Sequence, residues 1–215
     1  MEEVPGWREW RGKKLKYTLF FDDIIRRDYK ELEEGFQFPE DIEKKHKIVI
    51  CFLSLADSVS ALKDCEYYFR RYPFHGLPVS RQRHLVHMCE MYFGRFYEIR
   101  ERIKSVLNAV NDCMQDKNLD IGKFIKLYDK VFSAELRARN RAHHHERFDD
   151  LETSRLFIVE TASGKLKDIS EKAARDEYRR VTRQWSKRVQ KKSKQMDRFL
   201  EAVAQAIIEN CDLRI

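Results

Sequence analysis

The sequence predicts an all-α fold: an antiparallel, up-and-down bundle of long helices with a small β-hairpin inserted before the last helix. Three observations carry that expectation. All four prolines of the 215 residues lie at or before Pro78, and only three of the seven glycines follow it. The long remainder therefore lacks the residues that most often break helices. Apolar residues recur every three to four positions over long stretches, which is the period of an amphipathic helix. Turn-forming residues cluster at Gly35–Pro39, Pro73–Pro78, Gly122 and Gly164. Long helices joined by short loops bury their apolar stripes most readily against their sequence neighbours.

The elements follow in order. Residues 1–35 read as an N-terminal arm carrying Trp7 and Trp10, with a further helix over Tyr17–Leu32. Past Pro39, the acidic pair Glu40-Asp41 suits a first helical turn. A broad apolar face from Ile48 to Tyr72 then predicts one helix over 40–71. Ser80 is a good N-cap for a second long helix over 81–114, with Gly94 inside it expected to mark a close backbone approach. Asp120 caps a shorter helix carrying Phe124, Ile125, Leu127, Tyr128, Val131 and Phe132. The bundle core, with a His-rich stretch at its end, is placed at 40–145. The run Leu156-Phe157-Ile158-Val159 has β-like composition and is followed by the turn-like Ala162-Ser163-Gly164, so a hairpin is expected over 155–169. Ser170 then caps a last helix over 171–210. One domain over 1–215 accounts for the whole length.

Composition narrows the function classes. Charged residues make up 37% and apolar residues 42%. The longest near-continuous apolar run, Ile48–Ala56, is interrupted by Ser54 and falls far short of the ~20 residues of a membrane span. Met1-Glu2-Glu3 is acidic and leads no apolar core, unlike a secretory signal. Five scattered cysteines with no CxxC pair read as reduced thiols. The expectation is a cytoplasmic protein with no membrane partner.

The net charge of +7 is unevenly spread: Arg175 to Arg198 holds ten basic residues against three acidic ones, a surplus equal to that of the whole chain. Such a stripe suits a polyanionic partner or is simply a solvated helix face. Arg183 and Lys187, within it, are candidate RNA contacts.

The chemistry concentrates in Arg139-Asn140-Arg141-Ala142-His143-His144-His145. On a helix, residues four apart lie side by side while residues five apart diverge by roughly 140°. Arg139 thus meets His143, and reaches His144 only through a bend or a second subunit. Three consecutive histidines point to three sides of a helix, which argues against one shared metal ion. Cleavage of RNA through its own 2′-hydroxyl, by contrast, needs a group that takes the proton and a cation that steadies the phosphate. Histidine suits the first task and arginine the second, without a metal or other cofactor. The bland alternative is a polar helix end in contact with water. His84 and His87, three apart, are read as boundary residues rather than half a metal site. The aromatic groups Tyr67-Tyr68-Phe69 and Tyr92-Phe93, with Phe96-Tyr97, are read as core rather than as base-stacking rings, and Asp57 and Asp64 as solvent-facing.

Arg139-Asn140, three further residues, then His144 resembles the motif of HEPN domains, helical bundles of which many are metal-independent ribonucleases. That resemblance implies a homodimer in which two Arg/His pairs share a cleft. It implies that Arg139 contacts the scissile phosphate, His144 acts as general base or acid, and Asn140 orients one of them. His143, His145 and Arg141 would be additional phosphate contacts. It also implies a toxin or phage-defence role with an antitoxin-like protein partner. Two other readings stay open: a non-catalytic HEPN-like module that binds RNA, nucleotide or a protein, and a helical interaction protein whose His cluster has no role.

Overall fold

The computed structural model describes residues 40–72, 79–114, 119–144, 151–165 and 171–211. The arm over 1–35, the helix Tyr17–Leu32, the Ser170 cap and His145 lie outside the described residues. Six helices make up the described chain: α1 Glu40–Arg70, α2 Arg81–Cys113, α3 Ile121–Val131, α4 Ser133–His144, α5 Leu151–Lys165 and α6 Glu171–Asn210. No strand occurs among the described residues, and none of the described helices is long and apolar enough to cross a membrane.

The centre is a three-helix layer of α1, α2 and α6. Lys47 on α1 pairs with Asp112 on α2 at 2.8 Å, and Ser58 donates to Glu98 at 3.0 Å, so α1 and α2 run antiparallel. Lys63 meets Asp197 on α6 at 2.6 Å while Glu66 accepts from Gln190, so α6 also runs against α1. The shared core is aromatic: Phe69 stacks on Trp185 with centroids 5.3 Å apart, and Tyr92 packs edge-on against both. Each such ring removes a large apolar area from water and adds a directional contact.

Local signals explain the helix starts. The Ser80 hydroxyl accepts from Arg83 N at 3.1 Å, and Asp120 accepts from Lys123 N at 2.8 Å, each satisfying a first-turn N–H that has no partner within the helix. α3 is tied to α2 by a two-pronged ion pair, Arg100 to Asp129 at 2.7 and 2.9 Å. The buried Tyr128 hydroxyl donates to the carbonyl of Phe96 at 2.7 Å. α4 then passes crosswise over α2: Phe132 packs on Phe96 while Arg139, two turns on, covers Tyr97.

Two expectations are corrected. The hairpin placed at 155–169 is replaced by helix α5 over its described part, up to Lys165. A short apolar run does not distinguish strand from helix by itself, and tertiary contacts decide here. Thr153 and Leu156 are buried one turn apart, while Phe157 and Ile158 face outward. One turn further, the Glu160 carboxylate accepts from the backbone N–H groups of Arg81 and Gln82, both at 3.1 Å. It thereby caps the positive end of α2. Thr153 and Leu156, three residues apart, are buried on one side of a helix, whereas a strand would point them to opposite faces. The second correction concerns Gly94. A Cβ built there meets nothing within 4 Å, so no close approach demands glycine at this position.

Candidate functional site

α4 brings the chemistry of Arg139-Asn140 to the surface. Its first turn is anchored by Glu135, a carboxylate only 1% exposed that meets Arg188 and Lys192 of α6, each at 3.0 Å. Arg188 in turn lies over the rings of Trp185 and Phe93, at 4.9 and 5.4 Å. Lys192 lies 5.5 Å from the Phe132 ring. Burial pushes the neighbouring Tyr92 phenol well above its ordinary range, and the Glu135 charge adds to the shift.

One turn after Glu135, the Arg139 guanidinium lies over the Tyr97 ring at 4.3 Å. This is a cation–π arrangement on a half-exposed residue. Arg139 also donates to Asn140 Oδ1 at 3.3 Å, while its buried Nε has no hydrogen-bond partner among the described residues. Asn140 and Arg141 are exposed and, with Ala134 and Arg137, line a shallow depression. α4 stays helical through residue 144. The register therefore places position 143 beside Arg139 and position 144 about 140° round the helix from Arg139. His143 and His144 are located only by this register, and His145 lies outside the described residues.

Arg183 and Lys187 sit on α6, both exposed, beside a second depression with Asp176, Arg179, Arg180 and Gln184. Among the described residues no contact joins this group to Arg139. The structure thus brings together Arg139 and Asn140, with Arg141 adjacent, and sets Arg183 and Lys187 apart. His84 lies against Tyr178 and Tyr72, at 3.3 Å from the Tyr178 hydroxyl, and burial lowers its pKa. His87 faces Glu90 at 3.4 Å. Asp57 and Asp64 are exposed.

Sequence reasoning missed two residues. Tyr97 was grouped with the core aromatics, as were Tyr67 and Tyr68, yet all three are exposed, and Tyr97 forms the platform under Arg139. Glu135 was not singled out. Its only sequence signal is its register between Phe132 and Ala138, both buried, which puts a carboxylate on the inward stripe of α4. No protein-family model, no curated protein and no solved structure matches this chain.

Proposed function

We propose that this chain is a HEPN-like, metal-independent endoribonuclease that acts as a homodimer. Arg139, Asn140 and His144 form the reacting set, and His143, His145 and Arg141 contribute phosphate contacts. The supporting observation is the setting of Arg139: a guanidinium held on the Tyr97 ring beside Asn140 and an uncovered face of α4. An arginine fixed on an aromatic face keeps its planar fork oriented toward an incoming phosphate. In the reaction, a histidine takes the 2′-hydroxyl proton as the 2′-oxygen bonds to phosphorus. The bond from phosphorus to the 5′-oxygen breaks, that oxygen receives a proton, and a cyclic phosphate remains. Arg139 stabilises the charge on the phosphoryl oxygens. A toxin or phage-defence role with an antitoxin-like partner belongs to the same proposal.

The test is cleavage of RNA in EDTA by the purified protein. His144→Ala and Arg139→Ala are each expected to abolish cleavage while far-UV circular dichroism stays helical. Cleavage that survives both substitutions would overturn the reading. A second reading, a module that binds RNA or nucleotide without turnover, is favoured by the contacts Arg139 already makes with Tyr97 and Asn140. It predicts salt-sensitive binding with no product.

A further inference from the structure

The ten basic residues between Arg175 and Arg198 divide into two sets. Arg175, Arg179 and Arg180 pair with Glu171, Asp176 and Glu177, and Arg180 also meets Glu152. Arg188 and Lys192 are held by the buried Glu135. The other five, Arg183, Lys187, Lys191, Lys194 and Arg198, form no ion pair among the described residues. Their spacing of four, four, three and four residues places them within an arc of about 80° on a helix of 3.6 residues per turn. They make a straight line about 22 Å long, with a cation every ~5–6 Å. Trp185, Val189, Met196 and Phe199 are buried on the opposite side of α6. The line therefore faces solvent along its whole length.

We propose that this outward face of α6 binds a nucleic-acid sugar–phosphate backbone without reading its sequence. A regular line of unneutralised cations matches a polymer that carries one negative charge per nucleotide, and binding releases that polymer's counterions. The remaining exposed positions between Asp176 and Glu201 are Asp176, Arg179, Gln184, Gln190, Asp197 and Glu201. No apolar or aromatic side chain is among them. The absence of rings leaves nothing on which bases stack, so contact is with the backbone. The absence of an apolar outer face is unlike a helix that lies in a membrane surface. It is equally unlike a protein interface, whose energy comes from a buried apolar or aromatic centre. The site is separate from Arg139 and does not depend on cleavage there.

The test measures binding alone, by fluorescence anisotropy of labelled oligothymidine, which lacks the 2′-hydroxyl that cleavage needs, and of oligouridine in parallel. Five backbone contacts predict a slope of log K against log salt of about −3.5 for a single strand. Replacing Lys187, Lys191 and Lys194 together by Gln is expected to flatten that slope to about −1.4. The same change should weaken binding on the order of 100-fold near 0.1 M salt. A charge-matched triple replacement of Lys123, Lys126 and Lys130 on α3 by Gln should leave the slope unchanged. Similar affinities for the two oligonucleotides support backbone recognition. Equal loss in the two triple variants, or tighter binding of polyglutamate than of either oligonucleotide, would overturn the proposal. The first outcome would mean net charge alone, and the second an acidic protein partner.

Discussion

Glu135→Gln is the most informative single change. Glu135 is 1% exposed and faces two cations, Arg188 and Lys192, whose side chains are 38% and 18% exposed. Glutamine keeps the shape and removes the charge. The carboxylate's own desolvation cost disappears, but two cations are left beside a neutral amide against the rings of Trp185, Phe93 and Phe132. Removing one partner of a buried ion pair costs about 3–5 kcal/mol, mostly from the charge left behind. Both cations here keep some contact with water, and Arg188 keeps its aromatic neighbours, so the loss should fall near the lower end, about 3 kcal/mol. Urea denaturation should show a lower midpoint with an unchanged slope. Thermal unfolding should shift down by about 6–12 °C for a chain of this length. Replacing Glu135 by Leu together with Arg188 and Lys192 by Met should recover most of the loss, because an apolar cluster of similar volume carries no unpaired charge. A loss below about 1 kcal/mol for Glu135→Gln, typical of an exposed pair, would refute the view that this carboxylate anchors α4 to α6.

Three other outcomes follow from the same contacts. Gly94→Ala, at a mid-helix position with open space around it, should stabilise the protein by about 0.5–1 kcal/mol; destabilisation in urea melts would show that glycine is needed there after all. Glu160→Ala removes the acceptor of two α2 N–H groups and should cost about 1–2 kcal/mol, and amide exchange at Arg81 and Gln82 should quicken. His84 is held below its ordinary pKa by burial, with His87 adding to the shift. As pH falls below about 6.5, the unfolded chain binds a proton that the folded chain resists, so stability is present above that pH and is lost progressively toward the depressed folded pKa. The melting temperature should therefore drop more between pH 7.5 and 5.5 in the parent than in His84→Gln, and parallel curves for the two would contradict this.

What was legible in the sequence was what local chemistry determines. Ser80 and Asp120 cap the helices that begin after them, and the stripe Tyr178, Val181, Trp185, Val189, Met196, Phe199 and Val203 gives α6 its buried face. The all-α expectation follows from those signals. α5 was misread because Leu156-Phe157-Ile158-Val159 is β-like in composition. Its helix is supported by distant contacts, the burial of Thr153 and Leu156 and the seating of Glu160 on the first turn of α2. Glu135 was invisible for a related reason: a carboxylate is ordinarily exposed, and only the convergence of Arg188 and Lys192 from another helix makes it an inward residue. The basic stretch of α6 was readable as charge. The pairs of Arg175, Arg179 and Arg180 with Glu171, Asp176 and Glu177 are three or four residues apart on α6 and follow from the sequence; the neutralisation of Arg188 and Lys192 depends on Glu135 arriving from another helix.

The unbroken course of α4 sharpens the meaning of the Arg139-to-His144 spacing. With helix continuing through residue 144, no bend closes the roughly 140° between positions five apart. Within one chain Arg139 has position 143 as its neighbour. Under the proposed function, a reacting pair of Arg139 and position 144 would then be drawn from two copies of α4. The uncovered face available for such a pairing carries Arg137, Asn140 and Arg141. In a two-fold interface each patch meets itself, which sets Arg137 and Arg141 against their own copies. Like charges in direct apposition oppose association unless an anion lies between them. A phosphate backbone supplies that anion, so the proposed substrate would also be what permits the two copies to close.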